Sequence, residues 1–218
     1  QENDSPWKGR RLWDVYEEAH TPYEWHQELF DHSKKVGITL FSSPFDLSAV
    51  DLLESCNCPI YKVASFEITE YEILKAIGQT GKPVIMSTGM AALSEIDEAI
   101  DTLKSSGTPD LTLLKCTSSY PAPLNDANLS TISHLNKTFN LPCGLSDHCN
   151  DLNVAITAVA FGAPIIEKHF RIEGDFQSID SSFSLDKNQF KNMISNCHAA
   201  YSAIGKPTYG GGTSDKRF

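Results

Sequence analysis

The stretch at 163–170, APIIEKHF, passes from an apolar run directly into Glu167, Lys168 and His169. A short apolar run of this kind reads as a buried strand, and titratable groups at its end need partners or a ligand. Side chains alternate across a strand, so Glu167 and His169 share one face and Lys168 takes the other. The stretch at 141–148, LPCGLSDH, repeats the arrangement, with Ser146 and His148 on one face and Asp147 opposite. Two imidazoles on successive strand ends, completed by water and a substrate oxygen, would form an open metal site suited to catalysis. The competing reading makes each a hydrogen-bonded rim histidine. The other histidines, such as His26 and His32, fall on helical or loop stretches where solvation is expected.

A third element adds a cation. Lys62 lies inside the apolar run PIYKVAS at 59–65, and a buried ammonium requires an anion. Ser65, Ser87 and Ser146 could surround the same anion with hydroxyls. The structural alternative pairs Lys62 with Glu67. Cation, hydroxyls and metal together fit a phosphorylated, carboxylate-bearing substrate.

Positioning these groups falls to six expected strands, at 37–44, 59–65, 82–89, 111–119, 141–148 and 163–170. They are almost continuously apolar, as strands covered on both faces are. Amphipathic helices separate them. Thr21, Pro22 and Glu24 suggest a capped helix start, with Gly37 past its end. Thr69 with Glu72 suggests a capping box, and Ser94 a cap for a helix ending at Gly107. Further helices are expected near 46–56, 126–139 and 151–161. A longer one is expected at 187–204, with Phe190, Ile194, Cys197 and Ile204 facing inward.

Each expected strand ends in polar residues: Ser42 and Ser43, Lys62 and Ser65, Ser87 and Thr88, Thr117 and Ser118, Ser146 and His148, Glu167 and His169. An open doubly wound sheet needs such residues at one switch point only. A closed barrel aims every strand end at one central site. The expected fold is therefore an α/β (β/α)8 TIM barrel, incomplete with about six of its eight strands, spanning 1–205. Residues 206–218 lose all periodicity and read as a linker or tail.

Composition narrows the partners. A net charge of −10 over 218 residues argues against nucleic acid. No run has the length of a membrane span, and QENDSPWKGR is not a signal-peptide pattern. The six cysteines form no spaced framework, which favours a reducing, cytoplasmic location.

The segments FSSPFDLSAVDLLE, YKVASFEITEYEIL, TGKPVIMSTGMA, LLKCTSSYPAP, GLSDH and IIEKHF closely resemble the sialic acid synthase family, over Leu12 to Gly211. Members condense phosphoenolpyruvate with an amino-sugar aldehyde, releasing phosphate and forming a nonulosonic acid. KCTSSYPAPL and IDSSFSLDKNQFKNMI look most like the pseudaminic acid branch rather than the N-acetylneuraminate branch. The resemblance implies that His148 and His169 ligate Mn²⁺ or Mg²⁺. It implies that Lys62, Ser65, Ser87, Ser146 and Ser43 bind phosphoenolpyruvate, and that Glu67, Tyr120 and Asp180 lie near the sugar. His169, Glu67 and Asp180 are the expected catalytic residues. Ser118 stands where many relatives carry Asn, and SID replaces the usual GPD around Asp180.

Family members also begin with an AEIG.NHNG-type strand and a KFQ strand, and end in an antifreeze-like domain that supplies an Arg to a partner subunit. None of these is in this sequence, so the chain alone is expected to be inactive and the full-length protein to be a homodimer. Two rivals remain open: a non-catalytic remnant that binds phosphate or sugar, and another metal-dependent aldolase barrel.

Overall fold

In a computed structural model, which describes residues 7, 9–175 and 177–210, the chain alternates helices and parallel strands. The strands are β1 (Tyr61–Val63), β2 (Val84–Ser87), β3 (Leu111–Cys116), β4 (Cys143–Asp147) and β5 (Ile166–Lys168). They pair strictly in sequence order into one five-stranded sheet, curled into a half-barrel of the TIM type. The helices are α1 (Leu12–Ala19), α2 (His26–Val36), α3 (Leu47–Ser55), α4 (Tyr71–Gln79), α5 (Leu93–Ser106), α6 (Ser130–Phe139), α7 (Leu152–Ala160) and α8 (Lys187–Ile204).

The two faces of the sheet differ in chemistry. Tyr61, Val63, Val84, Met86, Leu111, Leu113, Cys143 and Leu145 are buried in one apolar cluster with helix residues such as Leu53, Leu74, Ile77 and Leu103. Removing this area from water is what holds the helices on the outer face. Lys62, Ser87, Cys116, Ser146 and Glu167 alternate with those residues and face inward. Parallel pairing aligns their strands, with Cys116 opposite Ser146 and Ser146 opposite Glu167. Gly144 permits the close approach of β4 and β5: a Cβ there would lie 2.3 Å from the Ile165 carbonyl oxygen.

Several local expectations are corrected. The strand expected at 37–44 is reduced to one bridge, Ser42 to Tyr61, because only Ser42 O meets β1, accepting from Lys62 N at 3.1 Å. The helix expected to start at Thr21 begins instead with a 3-10 turn, Tyr23–Trp25, and neither Pro22 nor Trp25 provides a side-chain cap. Thr69 caps nothing, since α4 starts after Glu70 without a side-chain cap. Ser94 lies inside α5, which starts one residue earlier because the Glu95 carboxylate accepts from Ala92 N–H at 2.6 Å. In α8 the buried residue is Met193, while Ile194 and Ile204 are exposed; Phe190 and Cys197 do pack inward. The α1 helix, where no element was expected, buries Val15. The tail expected at 206–218 lies outside the described residues from 211 onward, as do residues 1–6 and 8 of the N-terminal stretch.

Candidate functional site

The inward strand ends enclose a cavity of about 320 Å³. Ser43, Lys62, Ser65, Ser87, Tyr120, Ser146, His148 and His169 line it together, joined by Ala64, Cys116, Glu167 and Lys168. Of the expected site residues, Glu67, Ser118 and Asp180 fall outside this lining, although each touches or faces a residue within it.

Lys62 is only 6% exposed. Its ammonium donates to Ser87 Oγ at 2.8 Å and to Val63 O at 3.0 Å. Its anionic neighbour is Glu167, with Oε2 at 3.7 Å, and not Glu67, the partner in the structural alternative. Burial pulls the Lys62 pKa down, and the Glu167 charge only partly restores it. Glu167 Oε1 in turn accepts from Ser146 Oγ at 2.6 Å. Glu67, in the 3-10 turn Ser65–Glu67, keeps Oε2 buried without a hydrogen-bond partner, and burial raises its pKa.

The two imidazoles meet, with ring centroids 5.3 Å apart. His148 Nδ1 lies 2.9 Å from Thr117 O, and His169 Nδ1 lies 3.4 Å from Asp180 Oδ2. The Thr117 carbonyl can only accept, so His148 Nδ1 carries a proton toward it, while His169 Nδ1 faces the Asp180 carboxylate. This is the orientation in which metal-binding histidines are held by a second shell of acceptors. Among the described residues no group of three or more His, Cys, Asp and Glu side chains is arranged around one ion. His148 and His169 are the two facing side chains here that could serve a divalent ion as ligands. Tyr120 packs on His148 at 4.3 Å between centroids and Phe183 on His169 at 5.0 Å. Burial, with the nearby Cys116 and Asp180 charges, pushes the Tyr120 hydroxyl up to about 12, so it remains a donor.

Two participants were not singled out from sequence. Cys116 lies 3.9 Å from His148 Nδ1 and 3.8 Å from Ser118 Oγ. Burial alone would raise its pKa, but hydrogen bonds with His148, Ser65 and Ser118 and the His148 charge bring it down to about 7. Gly89 donates its N–H to Ser65 Oγ at 3.1 Å. A Cβ on Gly89 would lie 2.3 Å from Ser118 Oγ and 2.8 Å from Ser65 Oγ, so the backbone itself walls the hydroxyl cluster. The available signal was the Gly following Ser87 and Thr88 at a strand end, a position where close backbone approach is common.

The sequence and the fold have known relatives. A family model described as NeuB family matches residues 1–209. Pseudaminic acid synthase from Helicobacter pylori is 42% identical over 200 residues, covering 92% of this chain and 59% of that protein. N,N'-diacetyllegionaminic acid synthase from Campylobacter jejuni is 41% identical over 182 residues, covering 83% of this chain and 54% of that protein. The chain thus spans little more than half the length of these relatives. The crystal structure of N-acetylneuraminic acid (sialic acid) synthetase from Leptospira borgpetersenii, in complex with citrate, superposes with a TM-score of 0.87 at 31% identity, covering 94% of this chain and 73% of that one.

Proposed function

Because the chain belongs to the NeuB family, we propose that it is the barrel part of a nonulosonic acid synthase, of pseudaminic type, that condenses phosphoenolpyruvate with an amino-sugar aldehyde. The observation that carries this reading is the convergence of Lys62, Ser65, Ser87, Ser146 and the two imidazoles, from the ends of β1, β2, β4 and β5, on one cavity. Lys62, Ser65, Ser87 and Ser146, with Ser43 at the rim, bind the phosphate and carboxylate of phosphoenolpyruvate. A charged ammonium with several hydroxyl donors is suited to such an anion.

His148 and His169 would hold the divalent ion, Mn²⁺ or Mg²⁺, which when bound supplies Lewis-acid polarisation of the sugar carbonyl. Thr117 O orients the His148 ring through its Nδ1–H, and Asp180 faces Nδ1 of His169. Tyr120 packs on the buried His148 ring and Phe183 on the edge of His169. Glu67, Tyr120 and Asp180 orient the sugar, and Ser118 supports the wall beside Cys116. In the overall reaction, C3 of phosphoenolpyruvate bonds to the aldehyde carbon, water adds at C2 and inorganic phosphate leaves. Glu167, already accepting from Ser146, is placed to take a proton within the cavity.

A cytoplasmic location and a homodimeric full-length protein belong to the same reading. All six cysteines are free thiols, as a reducing compartment maintains, and no helix among the described residues is long and apolar enough to cross a membrane. The test is incubation of the full-length protein with phosphoenolpyruvate, a pseudaminic-type amino hexose and Mn²⁺. Release of inorganic phosphate with formation of a nine-carbon keto acid is the expected result. Phosphoenolpyruvate binding without turnover would favour the non-catalytic reading instead.

A further inference from the structure

The outer face of the sheet is apolar except at the strand ends, where Lys115, Asp147 and Lys168 are buried. Asp147 and Lys168 are paired across β4 and β5, with side chains 1% and 0% exposed and Asp147 Oδ2 2.9 Å from Lys168 Nζ. Lys168 borders the cavity, but its side chain is wholly on the opposite face. Lys115 is satisfied by neutral acceptors, Thr117 Oγ1 and Asp126 O, which leaves Asp147 and Lys168 as each other's counter-ion.

Burying such a pair is seldom the most stable choice. Apolar residues of similar volume in the same place are often neutral or stabilising. What an ion pair adds is direction, and here the direction is specific. Asp147 Oδ1 accepts from Cys149 N–H at 2.8 Å, and the Lys168 ammonium also donates to Cys149 O. Residues 147 and 149, on both sides of His148, are therefore tied to the residue immediately before His169. A slip or rotation of one strand end against the other would break both bonds that Lys168 makes across it, to Asp147 and to Cys149 O.

We propose that Asp147 and Lys168 form a positioning pair that fixes the two imidazoles at their mutual spacing, and thereby sets the affinity of the site for a divalent cation. The pair touches neither ion nor substrate and acts through the backbone of β4 and β5. The proposal rests on the reading of His148 and His169 as metal ligands.

Mn²⁺ alone, titrated into the full-length protein and followed by the electron paramagnetic resonance of the free ion, separates the two ideas. A His148→Ala, His169→Ala double variant defines the loss of the site. The double variant Asp147→Asn, Lys168→Met removes both charges of the pair together and leaves Lys115 on its neutral acceptors, and its fold is checked by thermal melting. Its Mn²⁺ dissociation constant is expected to rise by about 10- to 100-fold, the usual cost of losing outer support around a metal site. Lys168→Arg keeps the charge but not both acceptor distances, and an intermediate loss is expected. A folded double variant, or Lys168→Arg, that binds Mn²⁺ as tightly as the unmodified protein overturns the positioning role while leaving the metal site standing. Absence of Mn²⁺ binding in the unmodified protein overturns both.

Discussion

Lys62 Nζ and Ser87 Oγ stand 2.8 Å apart across neighbouring strand ends, a buried cation sharing its donors with a hydroxyl that faces the same cavity. With Glu167 3.7 Å away on the far strand, the ammonium has one distant anion and room for a nearer one. Changing Lys62→Met is expected to raise the dissociation constant for phosphoenolpyruvate by about 10- to 100-fold. That range corresponds to the roughly 1.5–3 kcal/mol of a charge-assisted hydrogen bond. Calorimetric titration of the variant measures it, and an unchanged constant would make Lys62 a purely structural cation.

The same lysine predicts a pH dependence. Burial lowers its pKa from the ordinary 10.5, so the folded protein gives up this proton at a pH where the unfolded chain still holds it. Anion affinity should therefore be full on the acid side of the lowered pKa and fall as pH rises through it, before the ordinary lysine range is reached. Above about pH 8 a phosphate group is already a dianion, so titrations from there upward isolate the lysine. The alkaline decline should be absent in Lys62→Met.

Much of this arrangement was legible because it is local. Alternation within a strand put Ser146 with His148 and Glu167 with His169, and two successive βα units made neighbours of those strand ends. What depended on register was not legible. Whether Lys62 met Glu67, five residues on, or Glu167 across the curled sheet is decided by how far the sheet bends. Cys116, between Lys115 and Thr117, carries no signal of its own in the sequence, and only packing sets it beside His148. The helix starts failed at Thr21, Thr69 and Ser94 for a related reason. A capping side chain competes with alternatives such as the Glu95 to Ala92 bond and the turn at Tyr23–Trp25, and composition does not rank them.

Gly89 offers a steric test of the hydroxyl wall. Its φ is not in the left-handed region, so Gly89→Ala changes space rather than backbone conformation. The new methyl would lie 2.3 Å from Ser118 Oγ and 2.8 Å from Ser65 Oγ, and both hydroxyls must rotate away. A stability loss of about 1–3 kcal/mol is expected from overpacking, with weaker phosphoenolpyruvate binding because Ser65 leaves the cavity. Adding Ser118→Ala removes the closer contact and should restore part of both. Denaturant melts and calorimetry on the single and double variants decide it; no recovery in the double variant would show that the wall is not what Gly89 protects.

Glu67 supplies a prediction in which stability and activity move in opposite directions. Its Oε2 is buried without a partner, and burial raises its pKa above the ordinary 4.5 against the weaker pull of Lys62. For an acid with a raised folded pKa, the folded state holds the proton more tightly than the unfolded one. The associated stability is fully present below the unfolded pKa and is lost as pH rises through the folded value. At neutral pH the charged Glu67 is therefore a burden, discounted because the side chain is only half-buried. Glu67→Gln should stabilise by about 1 kcal/mol, a rise in Tm of about 2–4 °C for a protein of this size. The advantage should shrink as pH falls toward 4.5, where the glutamate itself is neutral. If Glu67 orients the sugar, the same variant should lose turnover while keeping its affinity for phosphoenolpyruvate. Melting curves across the acid range, with kinetics on the full-length protein, test both halves. A variant less stable than the parent at pH 7 would mean that the charged carboxylate has a stabilising partner after all.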